Sequence, residues 1–131
     1  MIRTLVLAAA FVALAAPTAD AQGRRSIQDE IDHCAGQSNP ELLGCAAAAL
    51  DREDARLNRV YKAALARLKP KQQVGLRAEQ RQWIKDRDES CEPYFDEAQY
   101  GREGGILGTA CHAEMSRERA DELERIARRS R

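Results

Sequence analysis

The chain has 131 residues, with 21 Lys and Arg against 21 Asp and Glu, so its formal net charge is zero. A neutral chain lacks the broad cationic field that general nucleic-acid binding or adhesion to an anionic membrane requires, which argues against both. At this length one domain is expected.

The first 21 residues are expected to lie outside that domain. Arg3 precedes an uncharged apolar run from Leu5 to Ala16, and Ala19-Asp20-Ala21 supplies a small-residue cleavage pattern. Together these read as a signal peptide cleaved after Ala21. The run is short for a permanent span and no Cys precedes Cys34, so neither stable membrane insertion nor a lipid anchor is expected. Residues 22–131 are therefore expected to form a periplasmic or secreted domain. This portion holds 20 bases and 20 acids in 110 residues, but only 22 large apolar side chains between Ile27 and Ile126. That is near the fraction at which composition begins to suggest disorder. All four Cys fall here, and two disulfides formed in an oxidising compartment would each add roughly 2 to 4 kcal/mol.

Ser26 to Cys34 suggests a short helix with Ile27 and Ile31 on one side. Ser38 three residues before Glu41 fits a capping box with Pro40 in the first turn, and Leu50, Leu57, Tyr61, Ala64 and Leu68 follow at helical steps. This long helix is expected to end near Lys69-Pro70. A second starts after Pro70, carries Leu76, Trp83, Ile84 and Cys91 along one side, and stops at Glu92-Pro93. The very short connection folds the two into an antiparallel hairpin. Residues 92–108, with Pro93 and Gly101, Gly104, Gly105 and Gly108, read as a loop long enough to be functional. A third helix begins between Ile106 and Cys111 and runs through Met115, Arg119, Leu123 and Ile126 to a basic, fraying end. No strand-like alternation is present. The expected fold is all-α: a small disulfide-stapled bundle made of the hairpin and a third helix packed across it.

Four Cys allow three pairings. Local pairing, Cys34 with Cys45 and Cys91 with Cys111, closes two short loops and is favoured; the nested alternative, Cys45 with Cys91 and Cys34 with Cys111, stays open. A metal site using His33 beside Cys34 and His112 beside Cys111 lacks any C-x-x-C spacing and competes with oxidation. No cofactor is expected. No phosphate loop, nucleophile elbow or His-x-x-x-His pair occurs either, so the chain reads as a non-enzyme.

In the second helix Gln80 and Arg87 share the stripe that Trp83 would bury, so something must satisfy them. Asn58 and Tyr61 on the preceding helix are expected partners, with Arg87 stacked on Trp83, giving a structural polar network of Asn58, Tyr61, Gln80, Trp83 and Arg87.

Across nearly the whole mature chain these residues resemble the LprI-like lysozyme inhibitor family of small exported bacterial proteins. The resemblance rests on Cys34 and Cys45, on Asp54-x-x-Leu57-Asn58-x-x-Tyr61, on Gln80-Arg81-x-Trp83-Ile84-x-x-Arg87-Asp88-x-x-Cys91, and on Cys111 with Arg119-x-x-x-Leu123. The resemblance implies a helical, disulfide-bonded cell-envelope domain and lysozyme as a protein partner.

An inhibitor must be drawn to an enzyme that is strongly cationic in many animals and must plug a cleft holding two carboxyl groups. From Asp88 to Glu103 the chain carries six acids and one base, Arg102, a patch suited to steering a basic partner. Tyr94, Phe95 and Tyr100 are interface-type anchors, and Arg102 could reach an acidic cleft. The expected contact residues are Tyr94, Phe95, Asp96, Glu97, Tyr100 and Arg102. The rival reading is a structural or stress-related envelope interaction protein without lysozyme activity, in which the same acids merely solvate a loop.

Overall fold

The computed structural model describes residues 25–34, 36 and 38–129. Residues 1–21, where the sequence suggests a signal peptide, lie outside the described residues. Five helices run in order: α1 Ile27–Asp32, α2 Asn39–Arg67, α3 Pro70–Cys91, α4 Glu97–Tyr100 and α5 Gly104–Arg129. Single 3-10 turns at Glu92–Phe95 and Gly101–Glu103 flank α4. No strand occurs among the described residues, and the fold is an all-α bundle held by two disulfides.

Local chemistry sets the helix ends. Ser26 and Asp29 form a capping box at α1, and at α2 the Glu41 carboxylate accepts from the Ser38 N–H at 3.1 Å and from its hydroxyl at 2.6 Å. Lys69 is extended because it precedes Pro70, and Pro70 opens α3 where its missing N–H costs nothing. The Gln73 amide then donates to the Leu65 and Leu68 carbonyls, both at 3.0 Å, and satisfies the open end of α2.

The hairpin of α2 and α3 is antiparallel, with Asp54 near Arg87 at one end and Leu65 near Gln73 at the other. Its inner seam, however, belongs to α5. Pairs such as Asp54 with Ser116, Arg56 with Asp121 and Arg67 with the Ala127 carbonyl advance together along both chains. Thus α5 does not cross the hairpin; it lies along it, parallel to α2 and antiparallel to α3. Close approach of α2 and α5 depends on small side chains. Among the described residues the buried core holds seven alanines (46, 49, 64, 110, 113, 120 and 127), matching seven large aliphatics in number. Methyl-sized side chains bury without side-chain entropy cost, which is why so few large apolar residues suffice.

The core has two apolar layers. Ile27 and Ile31 of α1 insert beside Ala46, Ala49, Ile106, Ala110 and Ala113. Nearer the hairpin turn, Leu57, Ala64, Leu65, Leu76, Ala120, Leu123 and Ala127 pack together, with Tyr61 and Trp83 partly buried against them. Between the layers, Glu53, Ser116 and Arg117 are buried and polar.

The disulfides join Cys34 to Cys45 and Cys91 to Cys111. The first ties α1 to α2 and the second ties the end of α3 to α5. With all four sulfurs so bonded, no thiolate remains for a metal.

Residues 92–108 depart from the expected loop. Only 92–103 is irregular, and that stretch is itself built of helical turns; α5 begins at Gly104, ahead of the expected Ile106–Cys111 start, and runs to Arg129. The glycine run misleads because Gly104 and Gly108 serve packing, not turning. A Cβ at Gly104 would overlap the Tyr94 carbonyl oxygen, and one at Gly108 would fall 2.8 Å from Phe95 Cε1 and closer still to two other ring atoms. Gly101, at φ +58°, is where the chain turns.

Candidate functional site

Glycine at 104 and 108 leaves a bare strip on the first turns of α5, and the Glu92–Phe95 turn sits down on it. Phe95 is still 41% exposed, with its ring edge-on to His112 at 6.1 Å between centroids. Tyr94 and Tyr100 are half-buried and pack ring to ring at 5.5 Å. Leu43, 42% exposed, stands over Gly105 on the same turns of α5. The end of the bundle away from the hairpin turn thus carries an apolar patch of Leu43 and Phe95.

Acids surround it. Glu92, Asp96, Glu97 and Glu103 are all exposed. Asp96 also caps α4, accepting from the Ala98 N–H at 2.9 Å, so one carboxylate oxygen has a structural task while the side chain still faces water. Arg102 is exposed and has no ion-pair partner among the described residues. Asp88, at the edge of the acidic run, is partly neutralised by Arg87, whose Nη2 and Nε lie 2.9 and 3.0 Å away. The segment is therefore acidic, carries aromatic rings and is fixed to α5 by backbone-level contact.

The expected polar network has different partners. The buried Gln80 accepts from Arg119 Nε at 2.9 Å. Arg87 lies over the Trp83 ring, 5.2 Å from its centroid, and its Nη1 reaches Ser116 Oγ at 3.4 Å and Asp54 Oδ1 at 3.5 Å. Ser116 in turn donates to Asp54 at 2.6 Å. Among the described residues no hydrogen bond joins Asn58 or Tyr61 to this set: Asn58 is exposed and Tyr61 packs on the lower core layer. The reason is geometric: α5 faces both hairpin helices and supplies Arg119 to Gln80 and Ser116 to Arg87, while α2 contributes Asp54 to Arg87. Asp54, Leu57, Asn58, Gln80, Trp83, Ile84 and Arg87 nevertheless line one shallow groove between α2 and α3.

Sequence reasoning placed Arg119 on the stripe of the last helix, where it is buried, but missed the buried Arg117. Arg117, 5% exposed, donates to Glu30 at 2.6 Å, to Glu53 at 3.3 Å and to the Arg25 carbonyl. It joins three parts of the chain. Burial opposes ionisation of Glu30, but hydrogen bonds from Arg117 and Arg52 outweigh it and hold that carboxyl below its ordinary range. Burial likewise works against the Arg117 charge, and the same bond to Glu30 with the nearby Glu53 more than offsets it. One signal was available: Ser116-Arg117 falls where the alanine stripe of α5, at 110, 113 and 120, would place an apolar residue.

His33 Nδ1 lies 2.7 Å from the Asp29 carbonyl in its own helical turn, and no cluster of three or more His, Cys, Asp or Glu suited to a metal ion occurs among the described residues. No described helix is long and apolar enough to cross a membrane.

The described residues thus form a helical bundle, stapled twice by disulfides, with an acidic segment that carries aromatic rings packed on the first turns of α5. The chain belongs to the lysozyme inhibitor LprI family, whose family model matches residues 31–123. That span runs from the core residue Ile31 to the core residue Leu123 and includes all four disulfide cysteines. No match is found among curated proteins or among solved structures.

Proposed function

We propose that the chain is an exported inhibitor of lysozyme, and that its acidic end, residues 92–103, contacts the enzyme and occludes the substrate cleft. Family membership supports the activity. The observation that carries the choice of surface is the combination of exposed Glu92, Asp96, Glu97 and Glu103 with the exposed Phe95 and Arg102 on one rigidly seated segment. Carboxylates there attract a cationic enzyme over roughly a Debye length, about 8 Å at physiological salt. Aromatic rings then supply desolvated anchoring at little entropy cost, because the segment is already ordered. Arg102 offers a planar fork of donors for the carboxyl groups within the cleft. Export accords with the two disulfides, which persist in oxidising compartments.

The direct test is hydrolysis of peptidoglycan by a panel of lysozymes with and without the purified, oxidised chain. A dose-dependent loss of hydrolysis by at least one cationic lysozyme is expected. Full activity of every enzyme at saturating protein and low salt would contradict the reading.

A further inference from the structure

The groove between α2 and α3 is a separate feature from the acidic end, and its hydrogen-bonding groups are not used up by the fold. Gln80 is 8% exposed. Because Arg119 Nε–H donates to it, the bonded atom must be the amide oxygen, which leaves Nε2 as the free end. That nitrogen has no partner among the described residues, yet it is not among the sealed, unpartnered atoms of the interior. It therefore keeps some exposure, and Gln80 lines the groove. An unpaired amide at such a depth costs free energy unless water or a ligand reaches it.

The other groups around it are complementary in kind. Asn58 lines the same groove, is exposed and unpartnered, and offers both an acceptor and a donor. Asp54 spends one carboxylate oxygen on Ser116 and Arg87 and keeps the other, with its side chain 41% exposed. Arg87 is pinned over Trp83, and Ile84, 41% exposed, adds an apolar wall. Asp54 and Arg87 cancel in charge. The groove is small, about 100 Å³, and all of its groups stand on long helices, so their positions are set before any ligand arrives.

An aromatic and aliphatic wall with a few convergent, uncharged-in-sum donors and acceptors is the general form of a small-molecule subsite. A peptide backbone fits it poorly. Both walls are helices whose main-chain groups are already bonded, so no strand edge is on offer, and the narrow floor leaves no room for a helix. An anion or cation would meet both Asp54 and Arg87, one of like charge and one of opposite. A ring carrying neighbouring hydroxyls, each both donor and acceptor, and an apolar C–H edge matches what remains. We propose that this groove is a subsite for one ring of a neutral saccharide, with Gln80, Asn58 and Asp54 taking the hydroxyls and Trp83 and Ile84 meeting the apolar edge. The proposal stands independently of lysozyme binding.

Trp83 is the chain's single tryptophan, so its fluorescence reads the groove directly. The full oxidised chain would be titrated with glucose, N-acetylglucosamine and, as a peptide mimic, N-acetylglycinamide. A saturable change with at least one sugar in the millimolar range is expected, weakened tenfold or more in Asn58→Ala, whose exposed position leaves folding intact by circular dichroism. The absence of saturation with both sugars would overturn the proposal, as would an equal or stronger response to the peptide mimic. An Asn58→Ala response equal to that of the natural chain would place the ligand in the neighbouring groove of Trp83, Met115 and Arg119 and overturn it as well.

Discussion

The ring of Phe95 rests against the backbone of Gly108, so closely that a Cβ there would overlap ring atoms. Ordinarily a Gly→Ala change inside a helix stabilises by about 1 kcal/mol through propensity. Gly108→Ala should do the opposite, destabilising by roughly 1 to 3 kcal/mol through overpacking. The double variant Gly108→Ala, Phe95→Ala should recover much of that loss. Urea denaturation of the four proteins checks it, and a stabilised single variant would disprove the seating of residues 92–95.

Arg117 is the charge on which three segments converge. Arg117→Met takes from the buried Glu53 its one deeply buried partner, leaving Arg52 at 3.1 Å and Arg56 at 3.8 Å, and removes the bond to Glu30; the expected cost is about 2 kcal/mol, below that of stranding a buried charge outright. Adding Glu53→Gln removes a buried charge that has lost part of its pairing, so the double variant should be less destabilised than the sum of the singles by about 1 kcal/mol. A thermodynamic cycle from urea melts measures that coupling.

Acid should loosen α1 before the rest. Glu30 has its folded-state carboxyl held below the ordinary 4.5. The stability it contributes is therefore complete above that value and is lost as pH falls through the lower folded value. Glu30→Gln should cost about 1 kcal/mol at neutral pH and converge with the natural chain in strong acid. Stability measured against pH for both proteins supplies the comparison.

Removing the Cys91–Cys111 bridge by changing both to Ala should cost roughly 2 to 4 kcal/mol, since it frees a 20-residue separation in the unfolded chain. Reduction of the natural protein should lower its melting temperature in the same direction. Calorimetry with and without reductant gives the answer.

Much of the scaffold was legible because capping and proline signals act locally. Ser38, Pro40, Lys69-Pro70 and Pro93 mark helix ends by steric and hydrogen-bonding rules that hold whatever the tertiary setting. Pairing of the cysteines remained open because only the bundle's packing decides it. On α5, Arg119 and Leu123 are buried as their spacing suggests, whereas Met115 and Ile126 are only half-buried and alanines 110, 113, 120 and 127 complete the seam along α2. Alanine carries a weak sequence signal, since it suits exposed and buried helix positions alike. Gly104 and Gly108 look like turn residues in sequence and reveal their packing use only when Tyr94 and Phe95 are placed beside them. Connection length indicates only the hairpin neighbour, which does supply Asp54 to Arg87, but it carries no sign of Ser116 and Arg119, which reach Arg87 and Gln80 from α5.

The association rate of the oxidised chain with a cationic lysozyme, measured across salt concentrations for the natural sequence and for Asp96→Asn with Glu97→Gln, bears most directly on the acidic end as the contact surface. The account predicts several-fold slower association of the variant at low salt, with the difference fading as salt rises. Identical rates for the two proteins at every salt concentration would contradict it.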